Sequence, residues 1–200
     1  METFIQHARG LTARIAAQPE DQESFGRLAA GQSPLALFIT CSDSRVVPSL
    51  ITGARPGELF ELRTAGNAVP VYQEGMAAGA ESATIEYAMR VLRVADIVVC
   101  GHSHCGAVGA RARGEDLTGA PAVRDWLTRQ LSDELPGDDG PAVTTAVQRH
   151  VRRQLDRLGG HPCVRERLDA GEVRLHGWFY EVHTGAVSVY RPAADAFLPL

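Results

Sequence analysis

The chain has 200 residues, of which 44% are hydrophobic, 22% charged and 6% aromatic. This composition is typical of a folded globular protein and excludes an intrinsically disordered chain. The formal net charge of −4 provides no broad positive field for a nucleic-acid backbone. All 20 basic side chains are arginine, which excludes catalysis through a Schiff-base lysine or a P-loop lysine.

The length of the chain fits one enlarged domain better than two small ones. We expect a single domain over residues 1–200, with a helical N-terminal arm over 1–33 and an α/β core over 34–200. The N-terminal segment lacks the apolar stretch of a signal peptide, and no apolar run approaches the ~20 residues that span a bilayer. The sequence therefore predicts a cytoplasmic protein that binds neither membranes nor nucleic acids.

Hydrophobic patterning predicts helices and strands that alternate along the first three quarters of the chain. Residues 2–30 have the loose apolar spacing of one or two helices, and Pro34 ends that region. Three short apolar runs predict buried strands, and segments with helical spacing lie between and after them. The predicted strands cover 35–40, 58–63 and 96–100, and the predicted helices cover 75–93, a stretch beginning after Gly106, 122–132 and 142–158.

The C-terminal part of the sequence predicts a hairpin, formed by strands over 172–182 and 186–190. Segments 114–121 and 133–141 have the composition of loops. Strands that alternate with helices favour an α/β fold. We therefore predict a central, mainly parallel β-sheet flanked by helices, with a C-terminal antiparallel hairpin strand.

Potential metal ligands follow two of the predicted strands directly. Cys41 comes after the first strand, and His102 and Cys105 come after the third. In open α/β sheets, ligands collect at the carboxyl ends of the strands. Two thiolates and one imidazole are ligands that Zn²⁺ prefers, and three protein ligands leave a coordination position for water. The sequence therefore predicts a catalytic zinc site.

Asp43 and Arg45 follow Cys41 at intervals of two residues, within the segment CSDSR. A carboxylate beside a guanidinium is held ionised. Asp43 can then accept a hydrogen bond from zinc-bound water or, when released by Arg45, become a fourth ligand in a closed state of the site. The alternative is a local salt bridge in a turn.

Five segments of the sequence together resemble the β-class carbonic anhydrases, and in particular their plant-like branch. They occur in the order of that family and span most of the chain. The segments are CSDSR at 41–45, PGELFELR at 56–63, IEYA at 85–88, GHSHCGAV at 101–108 and HGWFYEVHTG at 176–185.

The resemblance implies a carbonate dehydratase, a zinc lyase that reversibly hydrates CO₂ to bicarbonate and a proton by zinc-bound hydroxide. It implies that Cys41, His102 and Cys105 ligate the metal and that Asp43 and Arg45 form the catalytic pair. It also implies the family's α/β fold, assembled as a homodimer or homotetramer with active sites near the subunit interface.

The resemblance further implies substrate-binding roles for Gln32, Phe60, Tyr87 and Gly106. An apolar wall with one amide donor suits CO₂, which is nonpolar until it becomes bicarbonate. For Phe60 and Tyr87 the alternative is ordinary core packing. The segment RTAGN at 63–67 departs from the R-N-V-A-N common in the family, and we expect Gly66 to maintain the backbone shape there.

Other interpretations of the same residues stay open. The segment from His104 to Arg111 spells H-C-x₅-R, the spacing of cysteine-dependent phosphatases, in which backbone N–H groups and an arginine cradle phosphate. The zinc site could be structural, with Asp43 as the fourth ligand, or the same scaffold could hydrolyse CS₂ or COS. His104 is either a proton shuttle or a solvent-facing loop histidine, and we interpret Cys100 and Cys163 as packing thiols.

Overall fold

A computed structural model of the protein describes residues 1–75, 79–131, 140 and 143–200. Its centre is a sheet with the strand order β2-β1-β3-β4-β5-β6. Strands β2, β1, β3 and β4 run parallel to one another, whereas β5 is antiparallel to β4 and β6 is antiparallel to β5, which confirms the expected α/β class and the C-terminal hairpin. The strands are β1 (Ala36–Cys41), β2 (Leu59–Thr64), β3 (Asp96–His102), β4 (Arg174–Tyr180), β5 (Val187–Arg191) and β6 (Ala196–Pro199).

Helices precede the sheet, connect its parallel strands and cover it. In the described ranges they are α1 (Glu2–Arg9), α2 (Leu11–Ala16), α3 (Pro19–Leu28), α4 (Pro48–Thr52), α5 (Ala80–Glu86), α6 (Gly106–Arg113), α7 (Pro121–Gln130), α8 (Thr144–Gly159) and α9 (Pro162–Asp169). Helix α5 continues into a π-helical turn over Tyr87–Val91, and short 3₁₀ turns cover Ala65–Asn67 and Pro192–Ala194. None of these helices is both long and apolar enough to cross a membrane.

Several elements differ from the sequence-based expectation. The N-terminal segment forms three helices rather than one or two. The first helix ends before Gly10, and the third begins at Pro19. The sequence pattern does not predict helices α4 and α9 or strand β6, because each is too short to show a clear apolar period. The helix expected over 75–93 begins at Ala80, and 76–78 lie outside the described residues, as does most of the loop expected over 133–141.

The alternation of side chains along β1 and β3 divides the apolar core between the two faces of the sheet. Leu37 and Ile39 of β1 join a large cluster formed with the covering helices. Phe38 and Val98 point to the other face, where a smaller cluster includes Tyr180. The central strands are therefore buried on both faces, as their uninterrupted apolar sequences predict.

Helix α8 approaches the sheet most closely at Gly101 of β3. A Cβ atom at this position would lie 2.6 Å from both Val147 Cγ1 and Val151 Cγ2. Both valines are buried, and each is stiff about χ1. Glycine at position 101 therefore allows the helix to cross directly over the strand end that carries His102.

We expect Gly101→Ala to destabilise the protein by about 1–3 kcal/mol, because the helix must shift to relieve the overpacking. Urea unfolding followed by circular dichroism measures the change. Gly119→Ala is the matched control, since a Cβ there meets nothing within 4 Å. Equal stability of the two variants would contradict the close approach of α8 to β3.

Candidate metal centre

The sheet brings the first two expected ligands together. Strands β1 and β3 are parallel neighbours, with Thr40 opposite Cys100, so both strands end at the same edge of the sheet. Cys41 is the last residue of β1, and His102 is the last residue of β3. Both side chains are buried. Their proximity follows from strand register and needs no long loop to deliver either residue.

Cys105 reaches the same place through a tight turn after β3. His104 has a φ of +57°, a left-handed conformation that reverses the chain within three residues of His102. Cys105 is the N-cap residue of α6, and the nearby backbone N–H groups of Ala107 and Val108 act to lower the pKa of its thiol. Backbone donors at a helix N-terminus favour a thiolate. The turn therefore places Cys105 where its sulfur is suited to bind a cation.

The three side chains form a compact set of metal-binding atoms. The sulfur atoms of Cys41 and Cys105 and a ring nitrogen of His102 all lie within 4.8 Å of one another. The two sulfur atoms are 4.0 Å apart. The part of the chain that the structure describes contains no other group of three or more histidine, cysteine or acidic residues placed in this way.

The hydrogen bond between the two cysteines shifts their pKa values in opposite directions. A hydrogen bond from the Cys105 thiol lowers the pKa of Cys41 to about 4, against the opposing effect of burial. The same pairing, together with burial, raises the pKa of Cys105 well above its usual value. A second negative charge is therefore unfavourable unless a cation binds between the sulfurs, which is the chemistry of a thiolate metal site.

His102 presents a lone pair to the site. Its Nδ1 lies 2.9 Å from the carbonyl oxygen of Ser103, which can only accept a hydrogen bond, so Nδ1 carries the proton. Nε2 is buried and has no hydrogen-bond partner among the described residues. A backbone carbonyl that fixes the tautomer of a histidine is typical of metal ligands. With two thiols beside this free nitrogen, the residues present fit Zn²⁺.

Asp43 is held by Arg45 at the edge of this set. The Arg45 side chain donates two hydrogen bonds to the carboxylate, at 2.9 Å and 2.6 Å, and its backbone N–H donates a third at 2.9 Å. The guanidinium holds the pKa of Asp43 well below its usual range. Asp43 Oδ2 is 3.9 Å from His102 Nε2. The carboxylate is thus ionised, beside the potential metal position and bound to Arg45.

Arg63 positions the segment that contains these residues, a role that the sequence analysis missed. Its guanidinium donates to the backbone carbonyls of Cys41, Asp43 and Val46 at 2.8–3.2 Å. Arg45 similarly donates to the carbonyl of His104 at 2.9 Å. The two arginines therefore fix the loop after β1 and connect it to the turn before α6.

The residues expected to bind substrate lie in different surroundings. The rings of Phe60 and Tyr87 are stacked, with centroids 5.8 Å apart, and Tyr87 remains 44% exposed. Gly106 is exposed at the start of α6, next to Cys105. Gln32 is exposed in the segment before β1. The structure therefore pairs the two aromatic residues and leaves Gln32 exposed.

The H-C-x₅-R segment has the wrong conformation for a phosphatase loop. Such a loop needs free N–H groups between the cysteine and the arginine to surround phosphate. Here residues 106–111 lie in α6, and the Gly109 N–H already donates to the Cys105 carbonyl at 2.8 Å. The Cys105 sulfur is also buried against Cys41. The phosphatase interpretation is therefore not supported by the geometry.

Comparison with known proteins identifies the family. A family model described as carbonic anhydrase matches residues 36–187. A carbonic anhydrase of Pseudomonas aeruginosa is 46% identical over 190 residues, which cover 92% of this chain and 86% of the relative. The solved structure of the β-carbonic anhydrase CcaA matches with a TM-score of 0.89 and 36% identity, covering 100% of this chain and 99% of that one. The chain belongs to the β-carbonic anhydrase family.

The family assignment agrees with the donor set. β-Carbonic anhydrases use zinc, and this chain brings two cysteines and one histidine together at the position where the sequence predicts the metal. A tetrameric β-carbonic anhydrase from the filamentous ascomycete Sordaria macrospora is a further structural relative, with a TM-score of 0.79, 28% identity, and coverage of 94% of this chain and 97% of that one.

Arg45→Gln should raise the pKa of Asp43 towards its ordinary value, because the hydrogen bonds from the guanidinium are the main cause of the lowered pKa. A carboxyl ¹³C NMR titration of the metal-free protein measures this value. Asp96, whose pKa is lowered chiefly by Arg174, is the internal control and should not change. An unchanged Asp43 midpoint would contradict the role assigned to Arg45.

Proposed function

We propose that this chain is a zinc-dependent carbonic anhydrase that catalyses the reversible hydration of CO₂ to bicarbonate and a proton. The observation that carries the proposal is the buried set of Cys41, His102 and Cys105 with the ion pair of Asp43 and Arg45 beside it. Family membership supports the same reaction. Three ligands, rather than four, leave a coordination position for water, as a catalytic site requires.

Each residue of the site has a distinct task in this proposal. The two cysteines and Nε2 of His102 would hold the metal. Bound zinc would supply an acidified water, since zinc lowers the pKa of a coordinated water to roughly 7 in carbonic anhydrases with three histidine ligands. Asp43 would accept a hydrogen bond from the attacking oxygen and so direct a lone pair towards the carbon of CO₂. Arg45 keeps the Asp43 carboxylate ionised and holds it away from the metal.

The substrate pocket is proposed to combine apolar and polar groups. The stacked rings of Phe60 and Tyr87 supply an apolar wall. Gln32 supplies an amide donor, and Gly106, exposed at the start of α6, gives access close to Cys105. This combination accepts nonpolar CO₂ and still offers a hydrogen bond to an oxygen of bicarbonate. His104, whose ring centroid is 6.2 Å from that of His183, is proposed to pass the product proton towards solvent.

We infer that the enzyme is a homodimer or homotetramer and that residues 1–33 form an arm on the α/β core over 34–200. Helices α1, α2 and α3 contain no buried residue, and Phe4 is 72% exposed. Leu50, in the helix that follows the Asp43 loop, is 76% exposed. Apolar surfaces on both the arm and the site side of the core are suited to packing against a second copy.

The cytoplasm is the compartment that suits this site. All four cysteines are free thiols, and two of them lie 4.0 Å apart with no disulfide between them. An oxidising compartment would favour a disulfide between sulfurs that are so close, and that bond would remove two metal ligands. A reducing environment preserves both.

Cys41→Ser and Cys105→Ser should each lose bound zinc and CO₂ hydration together, because each removes a ligand. Asp43→Asn should keep zinc and lose most turnover, roughly a hundredfold or more, because it removes only the orienting acceptor. Zinc content by elemental analysis and stopped-flow CO₂ hydration on the same preparations measure both effects. Cys163→Ser is the matched control, since that thiol lies outside the metal-binding set.

The same preparations test the competing functions. Zinc without CO₂ hydration in the unmodified protein would contradict the proposal, and turnover of CS₂ or COS would then assign the scaffold to those substrates. Full zinc content in both serine variants would show that the metal is bound elsewhere. Activity retained in Asp43→Asn would leave Asp43 with only a structural role.

Phe4→Asp should shift the assembly towards smaller species, because the charge would have to be buried against a second copy. Sedimentation velocity measures the distribution at several protein concentrations. Gln6→Ala is the control on the same helix, since that side chain only pairs with Glu2 on the surface. An unchanged distribution in Phe4→Asp would contradict an interface on the arm.

A further inference from the structure

A chain of hydrogen bonds connects helix α8 to the sulfur of Cys41. Gln154 and His150 lie one helical turn apart on α8, and both are fully buried. His150 Nε2 lies 2.7 Å from the carbonyl oxygen of Gly66. The N–H of the same glycine donates to the Cys41 sulfur, at 3.4 Å. Gly66 is thus the one residue between His150 of the helix and the sulfur of Cys41.

In this series of hydrogen bonds, each donor group is identified by the group that it faces. The backbone N–H of Val69 donates to Gln154 Oε1 at 2.8 Å, which sets the orientation of the amide. Gln154 Nε2 therefore donates to His150 Nδ1, at 3.2 Å. His150 must then carry its proton on Nε2, which donates to Gly66. Burial lowers the pKa of His150 to about 4, so the ring is neutral near pH 7 and keeps this tautomer.

Gly66 is suited to its place between His150 and Cys41. Its φ of +77° is a left-handed conformation that favours glycine. A Cβ atom there would lie 3.4 Å from Ala107 Cβ, on helix α6 directly after Cys105. The preceding carbonyl, of Ala65, accepts a hydrogen bond from the Trp126 indole at 3.0 Å. The loop that carries the Gly66 N–H is therefore held from two helices outside the metal site.

We propose that His150 and Gln154 are positioning residues for the metal centre: they fix the Gly66 N–H against the Cys41 sulfur and so strengthen metal binding by that cysteine. The inference rests on the proposed zinc site and deepens it. A hydrogen bond to a thiolate stabilises its charge, and partners beyond the ligands typically change metal affinity 10–100-fold when removed. Neither residue touches substrate or metal in this arrangement.

The variants separate the hydrogen bonds from simple packing. His150→Leu and Gln154→Met remove a donor and retain much of the apolar volume. His150→Gln keeps an amide N–H that can reach the Gly66 carbonyl. Leu158→Ala is the control, because Leu158 is buried in the core on the same helix and lies about two turns beyond His150.

Two measurements on the purified proteins report on the metal centre independently of turnover. The first is the rate of zinc transfer to a chromophoric chelator. The second is the thiolate-to-cobalt charge-transfer band of the Co²⁺-substituted protein. We expect roughly tenfold faster zinc loss and a shifted band in His150→Leu and Gln154→Met. We expect His150→Gln to lie close to the unmodified protein.

The control and the parent protein decide how a negative result is read. Leu158→Ala should lower the unfolding midpoint and leave the zinc transfer rate and the cobalt band unchanged. If His150→Leu and Gln154→Met match Leu158→Ala in both measurements, the inference is wrong although the zinc site stands. If the unmodified protein binds no zinc, or Cys41→Ser binds it equally well, the proposed function itself has failed.

Discussion

Two buried sulfur atoms 4.0 Å apart impose the central constraint on this protein. The hydrogen bond between them lowers the pKa of Cys41 and raises that of Cys105, so holding both as thiolates requires a nearby cation. Every other feature of the site is consistent with that requirement. The nearby imidazole offers a lone pair rather than a proton, and the adjacent carboxylate is neutralised by an arginine. The fold thus prepares a position in which a divalent cation replaces protons.

Backbone N–H groups carry much of this preparation. The Gly66 N–H donates to the Cys41 sulfur, and the N–H groups at the start of α6 act to lower the pKa of Cys105. Such donors stabilise thiolates without adding a mobile charge that would compete with the metal. Their positions depend in turn on arginine and histidine side chains that bind carbonyl groups. Arg63 holds the Cys41 loop in this way, and His150 holds Gly66.

The sequence predicts the parts of this arrangement that depend on local pattern. Cys41 and His102 end apolar runs that read as buried parallel strands, so their convergence follows from the fold class. The contacts of His150 do not follow, because Gly66 lies 84 residues away and no periodicity reveals which turn of α8 faces it. The role of Arg63 does not follow either. Its partners are backbone carbonyl groups, which every residue has, so no residue type in the sequence indicates them.

Local sequence pattern also fails to predict the shortest helices and strands and the roles of exposed residues. Helix α4 has five residues and strand β6 has four, which is less than the window that periodicity needs. Gln32 is exposed in the structure, so its local sequence carries no packing signal from which a role could be predicted. Patterns within one chain therefore predict the ligands better than they predict the pocket around them.

The Asp43 carboxylate can either pair with Arg45 or bind a metal, and the turn before α6 favours the pairing with Arg45. Its carboxylate is only 3.9 Å from His102 Nε2, so little movement separates pairing with Arg45 from binding a metal. The Arg45 side chain is 46% exposed, and an exposed ion pair alone would hold the carboxylate weakly. Arg45 is itself anchored to the His104 carbonyl, in a residue whose φ is positive. The turn that brings Cys105 beside Cys41 and His102 thereby also holds the Asp43 carboxylate on Arg45, which is the position that its proposed role requires.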